Sequence, residues 1–255
     1  MELNNDAYGY MQIVANEAKN SAYKEAKAEG YSNLLTNLHA ENAVLTAQKK
    51  AGKKMQEQQQ QALDIATYES ITASVQNRTG MTDDEMKNVK KFAGNVLQAE
   101  STGNWKATSA TSSAAGGYQF IKDSVVPAVN RMEELLARDK KKLPEWAANL
   151  RSDYGSNISE ATHRKLITGL SPAKQASLFM ADISEKTVGG TSGLGDQLLI
   201  GVGQGSAKAE ALLYLLGHHT SYGDKGVMNN VRNTWKDLTD SDQQEIENYI
   251  DSLAK

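Results

Sequence analysis

The chain has 255 residues, 39 % of them hydrophobic, with three prolines, no cysteine and a net charge of -3. The lack of cysteine excludes disulfides, thiolate metal ligands and thiol nucleophiles. The slightly negative balance implies no bulk attraction to nucleic acid or to an anionic membrane. An apolar fraction this low, with long runs of Ala, Lys, Glu, Gln and Leu, predicts an all-α chain of which part is extended or buried only against partners.

No apolar run reaches the roughly 18 residues of a membrane span. The amino-terminal "MELNNDAYGYMQIVANEAKN" lacks the basic leader and apolar stretch of a secretory signal. If the substrate lies outside the cytoplasm, another route must deliver the protein. Residues 1–80 form one compositional block, with "KEAKAEG" and "AQKKAGKKMQEQQQQ". Tyr31, Leu34, Leu38 and Leu45 fall near heptad spacing before the pattern fades into Lys and Gln. Long helices with so narrow a stripe are marginal alone. The block reads either as an assembly arm that docks on other subunits, the favoured reading, or as a solvated leader.

Gly80 ends that block, and Thr82 stands three residues before Glu85, a capping-box signature for a helix start. Asp83 and Asp84 suit the positive end of the helix dipole. Met86, Val89, Phe92, Ala93, Val96 and Leu97 recur at helical spacing, and Glu100 is the next member of the series. Gly103 is placed to stop this helix. A loop of small residues, "STGNWKATSATSSAAGG", then closes on Tyr118, Gln119 and Phe120. Further helices are predicted at "DSVVPAVNRMEELLARDKKK", at "PEWAANLRSDYG" and at "SPAKQASLFMADISEKT", where Ser171 and Pro172 supply a cap and first position. The glycine-rich "VGGTSGLGDQLLIGVGQGS" reads as a break before "AKAEALLYLLGHH". A capped helix closes the chain over residues 241–255. No strand pairing and no internal repeat stand out.

Glu100 carries the chemistry. A Glu at a helix end is either solvated or, if the apolar face continues, partly desolvated against the negative end of the dipole, which favours its protonated form. A carboxylic acid kept neutral near neutral pH is what a general acid requires. The small residues beyond it leave room for a substrate. Gln119 offers an amide that both donates and accepts, and Tyr118 and Trp105 offer flat surfaces of the kind that pack on sugar rings. Asp123 and Asp153 are available as second carboxylates, but no spacing singles them out. His218 and His219 are adjacent and diverge by about 100° on a helix, so they do not form a metal site from one face. They read as cleft-lining or core residues, and His163 reads as a solvated helix residue. The glycines of "VGGTSGLG" lack the Gly-Lys-Ser/Thr ending of a phosphate loop.

"ESTGNW" followed by "AAGGYQF" resembles the paired motifs of lytic transglycosylases with the goose-type lysozyme fold (the SLT family), including members borne by bacteriophage particles. Glu100, Ser101 and Asn104 match the first motif; Gly116 and Gln119 match the second. Trp105 stands where many members have Pro, and Tyr118 where many have Met. The third family motif has no literal counterpart, the nearest segment being "ALLYLLGHHTSYG", where Tyr214 or one of the His pair takes its place. The resemblance covers about residues 82–238. It implies a helical lysozyme-like domain over residues 81–240 that cleaves the MurNAc-GlcNAc β-1,4 bond of peptidoglycan with one carboxylate, Glu100, and leaves a 1,6-anhydro product. It implies substrate-binding roles for Ser101, Gly116, Tyr118, Gln119, Tyr214 and His219, and neither metal nor organic cofactor. With the arm, it implies a virion component acting in the host periplasm or wall during genome delivery, homo-oligomeric in the particle, gripping other virion or tail proteins and no specific nucleic acid. The alternatives are a structural virion or tail protein with a non-catalytic muramidase-like fold, and a hydrolytic muramidase.

Overall fold

The computed structural model describes residues 5–29, 33–110, 112–154, 158–184, 187–188, 191–217 and 231–253. They are overwhelmingly helical, so the chain is all-α. It divides into two units, residues 1–63 and 64–255.

The first unit holds α1 (Asn5–Ala28) and the greater part of α2 (Asn33–Thr79). Among the described residues its buried hydrophobic side chains are the small ones: Ala15, Ala22, Ala26, Ala40 and Ala51. Ile13 and Leu45 are 59 % and 55 % exposed. Leu45, a member of the expected heptad stripe, is thus not covered within the chain. Tyr31 and the side chains of Leu34 and Leu38 lie outside the described residues. Alanine burial stabilises little per residue, because few methylene groups leave water.

The second unit begins within α2, well before the boundary near residue 80 expected from composition. The reason is that Ile71 and Val75, on the last turns of α2, are fully buried in its core. The core is built on α3 (Asp83–Ser101), whose start is set by the expected capping box. The Thr82 hydroxyl accepts from the Glu85 N–H, and the Glu85 carboxylate accepts from the Thr82 N–H at 2.8 Å. Met86, Val89, Phe92, Ala93 and Val96 of the predicted stripe are all buried. The unit also holds α4 (Lys122–Arg138), α5 (Glu145–Asp153), α6 (Glu160–Gly169), α7 (Pro172–Ile183), α8 (Leu194–Gly203), α9 (Ala207–Gly217) and α10 (Asp240–Leu253). α3 touches α7 and α8, α7 also touches α4 and α9, and α10 packs on α9. Phe92 meets Phe179 of α7 at 6.4 Å and Trp235 at 6.1 Å between ring centres. Ile246 brings α10 into the same core, so residues 241–255 do not stand apart from it. No described helix is long and apolar enough to cross a membrane.

The glycine-rich break of residues 188–206 is largely structured. Thr187–Val188 (β1) pairs antiparallel with Thr191–Ser192 (β2), and α8 follows directly. Leu198, Leu199 and Val202 bury one side of α8. Two of its glycines permit contact rather than flexibility. A Cβ on Gly201 would stand 2.7 Å from Ala209 Cβ, and one on Gly203 2.7 Å from Met81 Sδ. Close packing of α8 on its neighbours offsets the helix penalty of glycine, about 1 kcal/mol each.

Candidate functional site

Glu100 sits in the last turn of α3 and is half-buried. The helix stops just beyond it. Thr102 adopts a left-handed conformation (φ 52°), its N–H returning to the Gln98 carbonyl, and Gly103 follows at φ 81°. Tyr214 of α9 comes to Glu100 from across the fold. Its ring is fully buried against Trp235 at 5.1 Å, and its hydroxyl donates to Glu100 Oε1 at 2.5 Å. The bond holds the carboxyl in one orientation.

The second motif forms a tight turn. Gly116 has φ 81°, Gln119 has φ 52°, and the Gln119 N–H and Nε2 both donate to the Gly116 carbonyl, at 3.2 and 2.7 Å. A non-glycine residue in this region costs on the order of 1 kcal/mol or more and marks a conformation imposed by its surroundings. The turn packs on the end of α3: a Cβ on Gly117 would lie 2.5 Å from Leu97 Cδ1 and 2.8 Å from Trp105 Cε3. On its other face, a Cβ on Gly116 would lie 2.5 Å from Gln175 Oε1 and 2.7 Å from Ile167 Cγ2. The two halves of the sequence motif are thus in van der Waals contact through Leu97, Gly117 and Trp105.

The other expected site residues divide. The Ser101 hydroxyl donates to its own helix, at the Leu97 carbonyl 3.0 Å away, and keeps its lone pairs for an incoming donor. Tyr118 does not offer a face to a sugar. It is 3 % exposed, stacked on Phe179 with 4.0 Å between ring centres and edge-on to Trp105 and Phe120. Burial pushes its phenol well above the usual tyrosine range. Trp105 is half-buried in the same cluster. Tyr214 belongs to the site through the acid rather than through an exposed surface. His219, like His218, lies outside the described residues. Asp123 and Asp153 are exposed.

His163 is not solvated, as its sequence context suggested, but fully buried. Its Nδ1 accepts from the Tyr154 hydroxyl at 2.5 Å, and its Nε2–H donates to the Phe120 carbonyl at 2.9 Å. That pairing needs the neutral ring, and burial lowers its pKa below the ordinary histidine value. The imidazole therefore anchors the end of the motif turn.

Two polar residues escaped the sequence reading. Gln175, on the first turn of α7, is a fully buried amide that reaches both motif halves. Nothing periodic marks it. Glu210 lies one turn before Tyr214, a carboxyl directly ahead of the apolar run "ALLYLL", and that context was a visible signal. It accepts from Trp235 Nε1–H and from the Asn95 amide, and burial raises its pKa. Among the described residues no cluster of His, Asp and Glu is arranged to hold a metal ion.

A scan against protein-family models, a search of curated proteins and a search of solved structures each found no match for this chain. What the site does is therefore read from its own residues.

Proposed function

We propose that residues 64–255 carry a peptidoglycan lytic transglycosylase of goose-type lysozyme-like fold, with Glu100 as its single acid and base. The observation that carries this reading is the Tyr214 hydroxyl on Glu100 Oε1, at the end of a helix whose last turn supports the strained Gly116–Gln119 turn. A half-buried carboxyl, oriented by a phenol and flanked by a rigid turn with an amide, matches the demands of one-carboxylate glycan cleavage. Paired-carboxylate enzymes need a second acid across the bond. Glu210, the other half-buried carboxyl near Tyr214, is occupied by Trp235 and Asn95.

In this reading Glu100, protonated, gives its proton to the oxygen leaving C1 of N-acetylmuramic acid as the glycosidic bond breaks. The sugar's N-acetyl oxygen holds the cationic C1. Glu100, now a carboxylate, takes the proton of the C6 hydroxyl as that oxygen closes on C1. The product is a 1,6-anhydro ring, and Glu100 regains its starting state with no water consumed. Ser101 and the Gly116–Gln119 turn orient the sugar. The proposed setting is a bacteriophage particle in which the amino-terminal residues grip other virion proteins and several copies act together, opening the host wall during genome entry.

Purified protein incubated with sacculi tests the chemistry by mass spectrometry of the released fragments. Anhydro-muramic ends, lost with Glu100→Gln, are expected. Reducing muramic ends would make it a hydrolase, and clearing that survives Glu100→Gln would remove Glu100 as the acid.

A further inference from the structure

We infer that Gln175 is a positioning residue that holds the Gln119 turn in place relative to Glu100; the inference rests on the transglycosylase reading above. Gln175 is fully buried, yet every polar atom of its amide is used. Oε1 accepts from the Gly117 N–H at 2.8 Å. Nε2 donates to the carbonyls of Trp105 at 2.9 Å, Ile167 at 3.1 Å and Leu170 at 3.3 Å. Trp105 lies five positions after Glu100, and Gly117 two before Gln119. One amide thus fastens both chemically important segments to a single point on α7.

The glycine pair gains a physical reason from the same arrangement. With any side chain at 116, Gln175 Oε1 could not come within bonding distance of the turn, since the Cβ would sit 2.5 Å from it. With a side chain at 117, the turn could not lie on Leu97 and Trp105. The turn is held in a slot one glycine wide on each side, with Gln175 on one wall and α3 on the other. Only a group that accepts and donates at once can replace Gln175. A carboxylate opposes three carbonyl oxygens, and a thioether satisfies neither side.

The test uses the full chain with Glu100→Gln, which binds glycan without turning it over, and a soluble tetrasaccharide of alternating GlcNAc and MurNAc as ligand. Titration calorimetry compares this parent with versions that also carry Gln175→Met or Gln175→Glu, with thermal unfolding as the check on folding. Gln175→Met is expected to weaken glycan binding about tenfold or more, the equivalent of one lost hydrogen bond at the turn. Gln175→Glu is expected to bind weakly at pH 8 and recover on acidification to pH 5, as its carboxyl gains the proton that restores one donor. The parent changes less over that range. Parental affinity in both folded variants would overturn the role. Loss of the folded state in both would make Gln175 a core residue only, which also overturns it. A parent that binds no glycan would instead overturn the reading of the site on which the inference rests.

Discussion

Replacing Tyr214 with Phe isolates the interaction that defines the site. The ring is fully buried and packed 5.1 Å from Trp235, so phenylalanine keeps the packing and removes only the hydroxyl. What is lost is a 2.5 Å bond to Glu100 Oε1. Hydrogen bonds to charged groups contribute about 1.5–3 kcal/mol. Glu100 is half-exposed, and water competes for the freed oxygen, so the lower part of that range applies, about 1.5–2 kcal/mol. If the bond orients the acid for both proton transfers, that energy appears in the barrier, and the turnover rate falls about 10- to 30-fold. Initial rates on a soluble glycan between pH 4 and 8 measure the effect, and urea unfolding corrects for any loss of folded protein. Unchanged rates across the whole range would refute the orienting role, as would a decrease fully explained by a smaller folded fraction.

Gly116→Ala introduces a side chain at φ 81° and 2.5 Å from Gln175 Oε1. Backbone strain and overpacking together destabilise by about 2–4 kcal/mol, read as a lower urea midpoint; a loss below about 0.5 kcal/mol would show that the turn readily rearranges. His163 links stability to pH. Its folded pKa is depressed below 6.5, chiefly by burial, so the unfolded chain binds a proton the folded chain resists. Stability is full above pH 6.5 and falls on acidification below it, with a slope of at most about 1.4 kcal/mol per pH unit from this residue. Arg164 and Lys122 act in the same direction as burial. His163→Gln should flatten the dependence of the urea midpoint between pH 5 and 7, and parallel curves for the two proteins would remove the histidine as its source.

The parts of this protein legible in its sequence are those decided within a few residues. The capping box of Thr82 and Glu85, the Ser171 cap and the apolar face of α3 ending at Glu100 all depend on groups three or four positions apart, where helical geometry alone sets the neighbours. Glu100 and the Gly116–Gln119 segment were recognisable for the same reason. Composition carried the all-α class as well, since strand formers and prolines are scarce. Burial and pairing across the fold required the tertiary structure. Tyr118 became a core ring because Phe179, 61 positions later in the numbering, stacks on it. His163 became an internal anchor because Phe120 and Tyr154 meet its two nitrogens. The glycines of α8 proved to be contact points, and a composition that reads as flexible folded because neighbours lie close enough to reward it. The tie from Tyr214 to Glu100 spans 114 positions, and that from Gln175 to Gly117 spans 58. No periodicity encodes such distances. A polar side chain that satisfies a remote partner looks, in one dimension, the same as one that faces water, and only packing separates the two.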